Sequence, residues 1–179
     1  YILNSFSRSS IKFARQNKIP YFGICFGMHV MCVEFARNVL KLSHANSSEI
    51  DPITTAPVIS LMHEQKAVRQ VGASMRLGSY KCLLKKGSKV ANIYKTDETS
   101  ERHRHRLELN DKYEKAFKDQ GLIVSAKSEK EGFCEIIELK NHPWMIAMQG
   151  HPEFKSKIDH PHPLFTNFLA SALETEGVS

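Results

Sequence analysis

Ile19-Pro20-Tyr21-Phe22-Gly23-Ile24-Cys25-Phe26-Gly27-Met28 is the stretch from which the rest of the chain can be read. An apolar run opens it, two glycines flank a cysteine, and a helical pattern follows. It therefore predicts a short strand, a sharp turn and the start of a helix. Gly23-Ile24-Cys25-Phe26-Gly27 has the G-x-nucleophile-x-G form, whose central residue sits on a strained turn with its side chain exposed. Glycines two before and two after leave room for the bend and for close strand–helix packing. A thiolate at that position feels the positive end of the helix dipole and the first-turn N–H groups, which favour its nucleophilic form. The backbone N–H of Phe26 is a natural donor to an oxyanion. The same turn also suits a buried structural cysteine, and the motif alone leaves both readings open.

The 179 residues, 41% of them hydrophobic, are enough for a single domain with a buried core. A formal charge of +6 and a pI near 9.1 suit an anionic ligand. The charges are spread along the chain, however, and no basic tract is interleaved with aromatics, so no nucleic-acid partner is expected. No run approaches the roughly 18 apolar residues of a membrane span. Tyr1-Ile2-Leu3-Asn4-Ser5 lacks the charged and apolar regions of a signal peptide. Cys25, Cys32, Cys82 and Cys134 form no C-x-x-C pair and no zinc-like spacing, a usage that favours a reducing, cytoplasmic compartment.

Outward from the elbow, residues 5–17 read as a helix that Pro20 prevents from continuing. Met28, Met31, Cys32, Phe35 and Val39 recur at helical spacing and predict a helix over about residues 26–41, with Glu34 and Arg37 pairing on its surface. Residues 43–57 read as a long loop, Val58 to Leu61 as a strand, and residues 62–72 as polar and exposed. Met75-Arg76-Leu77-Gly78 and Tyr80 to Leu84 look like strand material parted by a turn, and Ser88 to Tyr94 like a short helix or strand. Glu101-Arg102-His103-Arg104-His105-Arg106-Leu107-Glu108-Leu109 alternates, so a strand sends its arginines to one face and its histidines to the other. That face is either a solvated basic edge or an anion-binding surface of guanidinium forks. A helix over Tyr113–Gln120 ends at Gly121, and three apolar runs within 122–148 predict an antiparallel meander. Leu164, Phe165, Phe168, Leu169, Ala172 and Leu173 form one face of a last helix. His160-Pro161-His162 is a proline-punctuated loop to which no metal is assigned.

The last apolar run delivers His151-Pro152-Glu153 just after a strand. A histidine there presents its imidazole at a strand end, and a glutamate two residues on fixes its tautomer. Alone, the triplet reads more readily as a satisfied surface histidine. It supplies the base-and-orienter half of a nucleophilic triad, and with the cysteine elbow upstream the order Cys…His…Glu on an α/β chain is a coherent constellation.

These blocks, with Val33-Glu34-Phe35-Ala36-Arg37-Asn38, Ala45-Asn46-Ser47-Ser48-Glu49 and the arginine–histidine run, resemble the glutamine amidotransferase domain of the CTP synthase family, from about residue 11 to the C-terminus. The elbow and His-x-Glu are shared by class I amidotransferases in general; the other blocks point to CTP synthases. The resemblance implies a doubly wound, mainly parallel α/β sheet flanked by helices, with an added antiparallel region and the elbow ending a central parallel strand. It implies that Cys25 attacks the L-glutamine amide, that His151 moves the protons, and that Glu153 orients His151. Glu49 matches the residue pairing with the substrate ammonium and Arg106 the one holding its carboxylate, while Phe26, Gly27, Met28 and His29 line the amide pocket. It further implies no cofactor in this domain. A synthase domain of the same polypeptide would use ATP and Mg to aminate UTP with the ammonia, under GTP activation, within a homotetramer. Another class I amidotransferase, a γ-glutamyl hydrolase and a non-catalytic binding module are the competing readings.

Three departures from the family pattern stand out. His29 replaces a glutamine that contacts substrate, and Gly150 replaces an aromatic before the histidine, which is expected to loosen that wall. Counted back without gaps, a Pro-Gly-Gly-Phe-Gly loop supplying the second oxyanion donor falls before Tyr1. Residues 1–179 are accordingly expected to be one amidotransferase domain lacking its first strands and the synthase domain, and loss of such a donor costs about 100–1000-fold in rate.

Overall fold

The computed structural model describes residues 2–61, 75–175 and 177; the segment 62–72 expected to be exposed lies outside them. Helix α1 (Ile2–Asn17) stops short of Pro20, and Lys18 at φ 60° turns the chain into β1 (Tyr21–Ile24). Helix α2 (Phe26–Asn38) places Met28, Met31, Cys32 and Phe35 at 2% exposure or less, as their spacing predicts. It ends earlier than expected because the N–H groups of Val39 and Leu40 both return to the Phe35 carbonyl (2.9 and 3.2 Å), closing the last turn before Lys41 at φ 62°. Glu34 is a correction: it is buried, not on the surface, and accepts a forked pair from Arg15 at 2.9 and 2.7 Å that ties α1 to α2. Arg37 reaches the Ala45 carbonyl instead.

The expected loop over residues 43–57 contains β2 (Ala45–Ser47), paired parallel with β3 (Ala56–Leu61). Three residues are too few to show a period in sequence. β4 (Arg76–Leu84) runs unbroken where a turn was expected, because Gly78 takes φ 106° inside the strand, opposite His103. Helix α3 (Lys89–Tyr94) is capped by Ser88, whose hydroxyl accepts from the Ala91 N–H at 3.0 Å. The alternating run is β5 (Glu98–His105) and β6 (Leu107–Leu109), with His103 and His105 buried and Arg102, Arg104 and Arg106 exposed. After helix α4 (Glu114–Asp119), β7 (Leu122–Ser128), β8 (Cys134–Leu139) and β9 (Met145–Met148) form the antiparallel meander, and helix α5 (Pro163–Thr175) follows.

One sheet has the order β1-β9-β8-β7-β4-β5 and a second β2-β3-β6. The α/β class holds, with α1, α2 and α4 contributing to the core on one face of the large sheet and α3 and α5 to the core on the other. Successive residues Ile136 and Ile137, or Ile146 and Ala147, enter opposite cores, the period-two signature of a strand buried on both faces. The parallel majority does not hold among the described residues: only β1–β9 and β2–β3 are parallel, because short hairpins join β7 through β9 and the connection through α3 returns the chain antiparallel from β4 to β5. Likewise β1, expected at the sheet centre, has β9 as its neighbour and begins the order.

Candidate active site

The parallel register aligns Ile24 of β1 with Met148 of β9, so both strands end at the same edge of the sheet. Cys25 leaves one strand there, and Gln149, His151 and Glu153 leave the other. The Cys25 N–H continues the pairing to the Met148 carbonyl at 2.8 Å. Cys25 then adopts φ 49°, ψ −103°, a positive-φ conformation that costs a side-chain-bearing residue free energy and marks a constrained turn. Gly23 makes the turn compact: a Cβ there would lie 2.8 Å from the Ala147 Cβ and 2.9 Å from the Gly27 backbone.

The half-exposed Cys25 contrasts with Cys32, Cys82 and Cys134, all buried. Burial pushes its thiol pKa up; the Phe26 N–H and the Gln149 side chain pull it down but do not win. The pull of the helix terminus is thus outweighed by burial, and removing this thiol proton calls for a base, as the resemblance implies. His151 fits that task. Its Nδ1–H donates to Glu153 Oε1 at 2.6 Å, which leaves Nε2 as the acceptor. That Nε2 is buried and has no hydrogen-bond partner among the described residues. The ring stacks on Phe154 at 5.2 Å, and the His151 N–H is fixed on the Arg102 carbonyl at 2.8 Å.

Gly150 admits this approach of β5. A Cβ there would meet the Glu101 Cβ at 2.9 Å and the Arg102 carbonyl at 3.3 Å, so the strand closes the wall that was expected to be loose. Behind it Glu101 Oε1 accepts from Tyr94 (2.8 Å) and contacts His162 (3.2 Å). The His160–His162 loop therefore contributes a buried anchor, His162.

Phe26 is 46% exposed at the mouth, and Phe26 and His29 line a crevice with Asn46, Ser47 and Ile50. The turn after β2 sets Glu49 beyond Ser47, whose hydroxyl accepts the Glu49 N–H at 3.3 Å. Glu49 and Arg106 are exposed, and neither side chain has a hydrogen bond or ion pair among the described residues. Gly27 faces the turn, and its carbonyl accepts from the Tyr21 hydroxyl at 3.0 Å. Met28 is corrected: its side chain is fully buried in the core and its N–H is spent on the Cys25 carbonyl. His29 is turned inward, its ring on Gln149 Oε1 at 2.8 Å, and burial lowers its pKa to about 4. Gln149 itself carried no sequence signal; the β1–β9 register alone brings it to the sulfur.

Among the described residues, the grouping with metal-ligand atoms within 4.8 Å is Cys82, His103 and Glu135. Glu135 already accepts from Arg76 at 2.6 Å, and a guanidinium beside the carboxylate opposes a second cation there. A cavity of about 610 Å³ between β4, β7 and α4 contains none of the expected site residues.

Residues 5–171 match the family described as Glutamine amidotransferase class-I. The chain is 52% identical over 162 residues to CTP synthase of Protochlamydia amoebophila, covering 90% of this chain and 30% of the relative. It is 51% identical over 165 residues to CTP synthase of Aquifex aeolicus, covering 92% and 31% respectively. The chain thus spans about a third of the length of these relatives. Among solved structures it resembles the Trypanosoma brucei CTPS glutaminase domain with bound acivicin, with a TM-score of 0.89 and 34% identity over 96% of this chain and 66% of that one.

Proposed function

The chain belongs to the class-I glutamine amidotransferase family, and from that premise we propose that it hydrolyses L-glutamine at Cys25 to supply ammonia for CTP synthesis. The observation that carries the reading is the shared strand edge. A constrained Cys25 leaves β1 where β9, its parallel neighbour, releases a histidine whose Nδ1 is tied to a glutamate and whose Nε2 is free. His151 Nε2 takes the thiol proton as the sulfur adds to the amide carbon, and the Phe26 N–H stabilises the oxyanion. The proton then passes to the nitrogen, the C–N bond breaks and ammonia leaves a γ-glutamyl thioester. His151 next deprotonates a water, whose attack breaks the C–S bond and returns glutamate and the thiol. Glu153 holds the imidazole tautomer throughout and stabilises the imidazolium.

Glu49 and Arg106, both exposed and of opposite charge, suit the ammonium and carboxylate of a free amino acid, with Phe26 and Gly27 beside its amide. The relatives' names support an ammonia acceptor of CTP-synthase type; we infer a synthase domain of the same polypeptide that consumes ATP with Mg as its cofactor, aminates UTP and responds to GTP. Residues 1–179 are the glutamine-hydrolysing domain of such an enzyme, cytoplasmic and tetrameric when whole. No helix among the described residues is long and apolar enough to cross a membrane. The test is glutamate release from glutamine by the purified protein. Turnover that is lost in Cys25→Ala supports the reading; turnover surviving that change, or absent from a folded parent protein, moves the non-catalytic reading ahead.

A further inference from the structure

We propose that His29 is a positioning residue that orients the Gln149 amide so that its NH₂ end faces the Cys25 sulfur; the inference rests on the reading of Cys25 as the nucleophile. Gln149 is fully buried, and its backbone is fixed where β9 ends, its N–H on the Glu135 carbonyl at 2.8 Å. Its side chain has two chemically opposite ends. Oε1 lies 2.8 Å from His29 Nε2, and Nε2 lies 3.8 Å from Cys25 Sγ. An amide oxygen only accepts, so His29 Nε2 must carry the proton in this contact. The competing acceptor for a His29 proton is the Leu107 carbonyl, and that oxygen already receives His105 Nδ1 at 3.0 Å. A carbonyl can accept twice, so the Leu107 contact does not decide the tautomer; the 2.8 Å contact with Oε1 does, and it directs the one proton of a neutral His29 at Gln149.

The consequence for the sulfur is one of sign. With Oε1 held by His29, the amide offers N–H to Cys25, an interaction that strengthens as the thiol becomes a thiolate. Were His29 Nε2 unprotonated, the amide would turn over and set a carbonyl oxygen against the sulfur, opposing ionisation. His29 stands one helical turn beyond Cys25 on α2, so the device spans a single turn of helix and the end of the adjacent strand. It also gives a physical account of why position 29 lies inward here: its ring serves the nucleophile through Gln149.

The readout is the pH profile of Cys25 alkylation by iodoacetamide, mapped by mass spectrometry. The three buried cysteines are distinguished by peptide, and the assay does not depend on glutamine turnover. His29→Phe removes the N–H in a ring of similar size; its alkylation midpoint is expected to rise by about one pH unit, a tenfold slower reaction below it. His29→Gln, which restores an N–H donor, should return the midpoint toward the parent value. Gln149→Met should shift it as His29→Phe does, and the double variant no further, because both changes break one chain of contacts. A folded His29→Phe or Gln149→Met protein with the parent profile overturns the proposal, as does full additivity of the two shifts. If the profiles move as expected while no variant or parent hydrolyses glutamine, the positioning stands and the proposed activity fails.

Discussion

At Cys25, side-chain chemistry is bought with backbone strain, and the neighbours show how it is held. Gly23 has no spare space: Gly23→Ala places a Cβ within 2.8 Å of the Ala147 Cβ and 2.9 Å of the Gly27 backbone. The expected cost is about 1–3 kcal/mol of stability, as for other overpacked cores, together with loss of turnover, read from urea midpoints and glutamate release. A destabilisation below about 0.5 kcal/mol would show that the turn is slack. His151→Ala should lower kcat about 10²–10⁴-fold, the usual worth of a positioned general base, with a smaller change in KM. Glu153→Gln should fall between it and the parent, since an amide oxygen can still accept the Nδ1–H. An unchanged kcat in His151→Ala would remove His151 from the mechanism. Cys25, His151 and Glu153, the residues proposed as nucleophile, base and orienter, could be picked out of the sequence because each sits in a short local pattern. Gln149 and the inward His29 were not, because their contact joins residues 120 apart through strand register.

At the scale of elements, Arg76 joins the two sheets. It lies on β4 of the large sheet, donates to Glu108 on β6 of the small one at 2.9 Å, and to Glu135 on β8 at 2.6 Å. Burial alone would lower its pKa; the two carboxylates more than reverse this and keep the guanidinium charged. Arg76→Met leaves two buried carboxyls without their cation and is expected to cost about 3–5 kcal/mol at alkaline pH. The deficit should shrink toward pH 6, where the carboxyls take up protons, as urea unfolding at both pH values would show. A pH-independent deficit would mean that shape rather than charge is lost. The sequence displayed the Arg–His alternation of β5 correctly, since a period of two needs only neighbours. It did not display the passage from β5 to β6 across sheets at Arg106, nor β2, whose three residues pair with a strand nine positions on. Gly78 misled for a related reason: a glycine at φ 106° interrupts the pattern without interrupting the strand.

For the whole molecule, the balance of buried titratable groups sets the pH of greatest stability. Burial holds His29, His103 and His105 neutral, with pKa values lowered from 6.5 to about 4, 3 and 2. Acidification below about 6.5 therefore protonates these histidines in the unfolded chain first, and stability falls. Burial acts in the opposite sense on Glu135 and Glu108, raised from 4.5 to about 7 and 8 despite Arg76. Their contribution is fully present below 4.5 and is lost as pH rises through those folded values. Between 4.5 and 6.5 three histidines outweigh two carboxyls; above 6.5 the carboxyl losses remain. Urea midpoints should peak near neutral pH and decline at about pH 5 and pH 8.5. A midpoint climbing steadily into alkali would show that these carboxyls ionise in the fold without cost.

The proposed function depends on Cys25 being an activated nucleophile in a glutamine pocket. Its most direct test is mass spectrometry after exposure to a diazo-ketone analogue of glutamine. The expected result is one adduct, mapped to Cys25 and prevented by excess glutamine. Equal labelling of several cysteines, or no label on a folded protein, would contradict it.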